Sequence, residues 1–191
     1  NTFIATERIG KCLFAKLSDS SWLHLHFGMT GDLELFRSQE LPKYTRFVIG
    51  FKDGEKLAYK DLRKFGVIEL VKSPEDYQKQ NKLGIDLLEV NLDTFKKGLA
   101  SRKVAIKTAL LDQKHFAGIG NWIADEMLFN CGIHPEKLAN ELSQKQYEQL
   151  WQEGKNIVKE AIKQDTHYGD FPGHFFVNYR KEGVCHPNHP N

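Results

Sequence analysis

A glycine corner in front of a helix, with an amide at the joint and lysines on the helix before it, is a set of residues suited to holding an anion. Residues 116–136, FAGIGNWIADEMLFNCGIHPE, place Gly118 and Gly120 around Ile119, then Asn121 and a helical apolar pattern. Glycine permits backbone angles that other residues resist, so the chain can fold back sharply after a helix ending near Asp112. A helix start leaves backbone N–H groups without intrahelical partners and carries partial positive charge, which makes it an anion site. Residues 93–115 add Lys96, Lys97, Arg102, Lys103, Lys107 and Lys114 against Asp93 and Asp112, an excess of four positive charges. The natural anion for such a set is a nucleic-acid phosphate. Two plainer readings stand beside it: Asn121 caps its own helix, and the basic residues form a solvated face. Spacing alone does not choose between them.

The elements that must carry these residues change period along the chain. Up to about residue 71 the apolar pattern has period two. In SWLHLHF, Leu23, Leu25 and Phe27 point one way and Trp22, His24 and His26 the other, and DLELF and RFVIGF repeat the habit. Turn signals separate these runs at 18–21, at Thr30-Gly31 and at Asp53-Gly54, the last reading as a two-residue hairpin turn with positive φ at both positions. Residues 72–92, with Ser-Pro, charges and Gly84, read as a linker or hinge. Beyond them the period is helical. Asp93 and Ser101 are candidate N-caps, Val104, Ala105, Leu110 and Leu111 form one helical face, and Ser143 with Gln146 makes a capping box before an apolar stripe through Leu150 and Ile157. The expected class is α+β: an antiparallel β-sandwich portion over 1–71, the linker 72–92, a helical domain over 93–165, and a Gly-, Pro- and aromatic-rich end over 166–191.

Bulk properties exclude several classes. At 191 residues with 40% hydrophobic and 27% charged residues, the chain has no apolar run near the roughly 20 residues that cross a bilayer, so no membrane is expected as partner. Three distant cysteines, Cys12, Cys131 and Cys185, argue against a disulfide framework and fit a reducing cytoplasm. The opening NTFIATERIGKCLF has neither an initiator Met nor an export pattern, and reads as the interior of a longer protein.

The stretch IKTALLDQKHFAGIGNWIADEMLFNCGIHPEK resembles the helix-two-turn-helix signature of the formamidopyrimidine-DNA glycosylase and endonuclease VIII family, whose members remove oxidised bases from DNA. HFGMTGDLELF and YKDLRKFG resemble two further family segments in the right order, RIGKCLFAKL the strand before them, and FPGHFFVNYRKEGVC the run into a C-terminal finger. The resemblance implies base-excision repair of oxidised or ring-opened bases in duplex DNA with associated strand cleavage at the abasic site, by a monomer acting in the cytoplasm on the nucleoid. By motif, Lys107, Asn121, Lys43 and Arg180 fall on positions that grip the DNA backbone. Met29, Arg63 and Phe65 fall on the three side chains that enter the duplex where a nucleotide is flipped out, a role that suits a flexible or apolar wedge and an arginine facing an orphaned base. From their types alone, without the resemblance, Met29 and Phe65 read as core residues and Arg63 as a sheet-surface charge.

Two departures qualify what carries over. The family's nucleophile is the amine of an N-terminal proline followed by a glutamate, and nothing in 1–191 matches that opening, so no catalytic residue is assigned here beyond Lys43 as an accessory. Without that amine the covalent Schiff-base step has no donor in this segment. At the other end Cys185 is a zinc candidate with His186 and His189 nearby, but Asn188 stands where a second finger Cys would, which reads as a zincless hairpin with no cofactor expected. The stretch KQDTHYGDFPG is shorter than the loop with which many members cap an oxidised purine. Two other classes remain: a non-catalytic damaged-DNA binder, and a structural RNA-binding protein, since a helix-two-turn-helix also occurs in a ribosomal protein.

Overall fold

The alternation in SWLHLHF is a strand buried on both faces, and the first half of the chain is built around it. The computed structural model describes residues 1–163 and 171–180, and divides into two units, Asn1–Asn81 and Lys82–Asn191. In the first unit β1 (Phe3–Ile9), β2 (Cys12–Leu17), β3 (Trp22–His26) and β7 (Val67–Val71) form one antiparallel sheet in the order β1-β2-β3-β7. A second sheet, β4-β6-β5, joins β4 (Gly31–Phe36), β5 (Thr45–Gly50) and β6 (Lys56–Asp61). Leu23 and Leu25 turn with Ala15 toward Tyr59, with Leu33 and Ile49 of the second sheet packed against them. That is the expected sandwich. The opposite face of β3 is covered by α1 (Pro74–Gln80), where the fully buried His24 lies 5.0 Å from the Phe14 ring and 4.1 Å from that of Tyr77.

One local expectation is corrected here. Asp53-Gly54 does not form a two-residue turn: 51–55 joins β5 to β6, closed by Phe51 N–H donating to Glu55 O at 2.8 Å, and of the pair Gly54 alone has positive φ (84°). The stretch 72–92, read as a linker or hinge, carries the helix α1. Ser73 accepts from Asp76 N–H at 3.1 Å and Pro74 follows at the first helical position, where its missing N–H costs nothing, so Ser-Pro starts a helix instead of breaking one. The division between the units falls inside this stretch, and Leu87 and Val90 beyond it belong to the core of the second unit.

That second unit holds a short parallel pair, β8 (Ile85–Asp86) with β9 (Phe116–Ala117), and the helices α2 (Leu92–Ala100), α3 (Ile106–Leu111), α4 (Asn121–Asn130) and α5 (Gln144–Lys163). The caps differ from those read in the sequence. Asn91, not Asp93, accepts from Thr94 N–H (2.9 Å) to start α2, and Ser101 ends that helix instead of opening the next. Val104 and Ala105 precede α3. Its first N–H groups are satisfied by a returning strand of chain: Ile106 N–H donates to Lys137 O at 2.8 Å and Lys107 N–H to Pro135 O at 3.2 Å. The capping box of α5 is present as read, with Gln146 N–H on Ser143 Oγ (3.2 Å) and Ser143 N–H on Gln146 Oε1 (3.1 Å). Leu150 and Ile157 of α5 are buried against α4 and α2, each worth about 1.5–3 kcal/mol relative to exposure. No helix among the described residues is long and apolar enough to cross a membrane.

Candidate nucleic-acid interface

In the second unit the glycine corner works through one of its two glycines. Gly118 has φ 104°, a conformation that an L side chain resists, whereas Gly120 is extended (φ −104°, ψ 178°) and serves as the residue before the first turn of α4. Gln113 stitches the corner shut. Its Nε2 donates to Ile119 O (2.7 Å) and Leu111 O (3.0 Å), while its Oε1 accepts from Gly118 N–H (3.1 Å). Asn121 is the first helical residue, exposed, and no side chain caps this helix start. Asn121 therefore does not cap its own helix, and the N-terminal N–H groups of α4 have no side-chain acceptor at the cap.

One turn further along the same helix stands Asp125. Lys107 Nζ of α3 lies 2.5 Å from its Oδ1, and the Arg180 guanidinium donates to its Oδ2. Positions 121 and 125 share one face of α4, so the three candidate phosphate-gripping residues of this unit, Lys107, Asn121 and Arg180, are gathered on that face. Arg180 is brought there by the short 3-10 helix Phe176–Tyr179, whose first amides are held by the fully buried Glu126: Phe176 N–H donates to Oε1 at 2.7 Å and Val177 N–H to Oε2 at 3.1 Å. Successive carboxylates on one helix thus face two ways, Asp125 outward onto cations and Glu126 inward onto backbone. Partial burial pushes the Arg180 guanidinium down from its ordinary value, but arginine stays protonated in proteins. Of the other basic residues of 93–115, Arg102 is committed to Asp112 (2.7 Å) and so holds that carboxyl below its usual range.

In the first unit Met29, Arg63 and Phe65 also come together. Met29 is 70% exposed and Phe65 55%, which decides against their being core residues. The Arg63 guanidinium lies 4.7 Å over the Phe65 ring, a cation–π distance, and Nη1 is 3.4 Å from Met29 Sδ. The support beneath them is Asp61, which is 1% exposed: it accepts from Thr30 Oγ1 (2.5 Å), Arg63 N–H (3.1 Å) and Gly66 N–H (2.8 Å). Thr30 Oγ1 in turn accepts from Arg63 N–H at 3.2 Å, so one carboxylate and one hydroxyl lock the Met29 loop to the Arg63–Phe65 loop. These donors, the Thr30 hydroxyl first, hold the Asp61 carboxyl below the ordinary aspartate value. Lys43 is exposed beside a polar cleft of 280 Å³ lined also by Thr30, Asp32, Tyr44 and Lys60. There Lys60 is held charged by Glu34 (2.8 Å) and Asp32 (3.0 Å).

Sequence reasoning missed Asp125, Glu126, Gln113 and Asp61. The first two carried a signal in the repeated acid of IADEMLF, where neutral residues would suffice for a plain amphipathic helix, but nothing in the spacing shows what an acid among these cations is for. Among the described residues no group of three His, Cys, Asp or Glu side chains is placed to hold a metal ion. Cys185, His186 and His189 lie outside the described residues, as does most of the loop KQDTHYGDFPG.

An antiparallel sandwich followed by a helical unit with a glycine corner before an uncapped helix is the architecture of helix-two-turn-helix DNA glycosylases. Residues 1–68 match the formamidopyrimidine-DNA glycosylase N-terminal domain and residues 83–170 the formamidopyrimidine-DNA glycosylase H2TH domain. The chain is 35% identical over 195 residues to a formamidopyrimidine-DNA glycosylase of Shouchella clausii, covering 94% of this chain and 70% of that relative. It is 34% identical over 197 residues to one from Arabidopsis thaliana, covering 95% of this chain and 50% of the other. Among solved structures, the Lactococcus lactis Fpg in complex with DNA containing an abasic site superposes with a TM-score of 0.82 at 30% identity over 90% of this chain and 65% of that one. MutM in complex with DNA containing carbocyclic 8-oxo-G gives 0.81 at 30%, over 86% and 63%. The chain belongs to the formamidopyrimidine-DNA glycosylase family. It spans between half and seven-tenths of the length of these curated relatives.

Proposed function

We propose that the whole protein is a base-excision DNA glycosylase with lyase activity, acting on oxidised or ring-opened bases in duplex DNA, and that this chain supplies its backbone grip and its duplex wedge. The observation that carries the reading is the gathering of Lys107 and Arg180 one turn from the exposed Asn121 at a helix start without a side-chain cap. Three positive or N–H-bearing elements on one face suit a phosphodiester, whose oxygens accept charge-assisted hydrogen bonds. Met29, Arg63 and Phe65 suit the vacated stack: an exposed thioether and ring replace lost stacking, and the guanidinium presents donors to an unpaired base edge. Lys43 stands as a further backbone contact from the first unit. Partners are duplex DNA and no membrane; the protein acts as a monomer in the cytoplasm, and this segment works without a metal. No residue of this chain is assigned the attacking amine that forms the Schiff base at C1′.

Two measurements test this. Binding of the full chain to abasic duplex DNA against salt should weaken roughly three- to ten-fold in Lys107→Ala, with the slope of log K on log salt reduced by about one. Unchanged affinity and slope in that variant would remove the grip. Borohydride trapping on abasic DNA with the full-length gene product should give a covalent adduct. Retained binding with no adduct would instead make it a non-catalytic damage binder.

A further inference from the structure

An anion-binding cluster in which a carboxylate already occupies the cations poses a charge problem. Asp125 neutralises one of two positive charges that a polyanion would seek, and simple Coulomb reasoning says that a phosphate site is better without it. The geometry argues otherwise. Each oxygen of Asp125 takes one cation, Lys107 on Oδ1 and Arg180 on Oδ2, and the three side chains are 20–34% exposed. An ammonium has three donors and a guanidinium five, so both keep donors after bonding Asp125. Without the carboxylate the two cations repel each other and each regains the rotamer freedom of a long flexible side chain, which binding would have to remove again. At a third exposed and at ordinary ionic strength the lost negative charge is screened, whereas the ordering cost is not.

We propose that Asp125 is the positioning residue of the phosphate grip: it holds the Lys107 ammonium and the Arg180 guanidinium side by side, one helical turn from Asn121, so that a single backbone phosphate meets them preassembled. This rests on the reading of the cluster as a phosphate site. The neighbouring Glu126 completes the device from the interior by fixing the 3-10 helix that delivers Arg180.

The test is Asp125→Asn in the full chain, binding the same abasic duplex across a salt series, beside Lys107→Ala and Lys107→Ala/Arg180→Ala, with thermal unfolding of each. Asp125→Asn should bind about five-fold more weakly near physiological salt. Because the variant carries one more net positive charge at the contact, its salt dependence should be steeper and the deficit should widen as salt rises. In the background lacking both cations the same substitution should not weaken binding, since a residue that acts through its partners has nothing left to act on and only its repulsion of the phosphate is removed. Affinity equal to or above that of the unsubstituted chain at physiological salt overturns the proposal. So does a loss that is independent of salt or persists in the doubly substituted background, which is what a destabilised fold would give. If Lys107→Ala itself leaves binding unchanged, the phosphate reading fails instead, and the two failures are told apart.

Discussion

A carboxylate has acceptors and no donors when ionised, which is why Asp61 can sit buried under three hydrogen-bond donors while the side chains it supports stand in solvent. Thr30 Oγ1–H, Arg63 N–H and Gly66 N–H all converge on it, so both loops of the wedge take their shape from one residue. Asp61→Asn is nearly isosteric, yet it turns one acceptor into an NH2 group facing donors, so either the Gly66 N–H loses its acceptor or the Thr30 hydroxyl must turn and give up its bond to residue 61. The expected result is a lower melting temperature and about a ten-fold loss of preference for abasic over intact duplex DNA, with binding to intact duplex retained. Arg63→Ala should lose the preference with no change in melting temperature, because its side chain is exposed and makes no contact with the core. Competition binding on the two duplexes beside calorimetry separates the cases. A preference left intact in both variants would show that Met29, Arg63 and Phe65 are not the wedge.

Elements differ in how openly the sequence declares them. The start of α5 was legible because both halves of its capping box lie within four residues, and Ser143→Ala should cost about 1 kcal/mol in denaturant unfolding of the second unit. A cost below a few tenths would mean that water replaces the cap. The strands of the sandwich were legible for the same reason, since alternation is a local pattern that one strand carries by itself. Less visible was α3, whose first N–H groups bond to carbonyls of Pro135 and Lys137 some thirty residues away, so no cap appears in its own neighbourhood and Ser101 was a false start. The helix within 72–92 was hidden by its charged residues, and Leu87 and Val90 beyond it are buried by a core whose other members follow later in the chain. At the site, Lys107 and Asn121 were singled out through the motif, while Asp125 pairs with Lys107 on one side and with Arg180, 55 residues further on, on the other, a link that exists in space and not in spacing. Gln113 was concealed in a stretch read only for its glycines.

Across the whole chain the histidines that burial depresses lie, among the described residues, in the first unit, and this sets how acid should act on it. His24 and His26 both lie in the first unit, and burial, the larger cause for each, pushes their imidazoles below the usual histidine value. For His24 the Glu69 carboxylate opposes this, and for His26 the charges of Lys11 and His24 add to it. A histidine depressed in the folded state takes up its proton more readily when unfolded. Its stabilisation is therefore complete above about pH 6.5 and declines as pH falls from there toward the folded value. Asp112 of the second unit, depressed by Arg102, and Asp61 of the first, depressed chiefly by Thr30, follow the carboxylate rule, their contribution standing above the unfolded value near 4 and declining below it. Between pH 7.5 and 5 the urea midpoint of the first unit should fall, and both units should lose stability below about pH 4. The tryptophans report on them separately, Trp22 being buried in β3 and Trp122 and Trp151 lying in the second unit. A Trp122→Phe/Trp151→Phe chain leaves Trp22 to follow the first unit, and Trp22→Phe leaves the other two. His24→Leu, which keeps an apolar side chain between Phe14 and Tyr77 without a titrating ring, should remove much of the first unit's decline between pH 7.5 and 5. A Trp22 midpoint that does not move over that range, or one that moves as much in His24→Leu, would contradict the assignment of the acid-sensitive charge to the buried His24 beneath α1 and the half-buried His26 on the same strand.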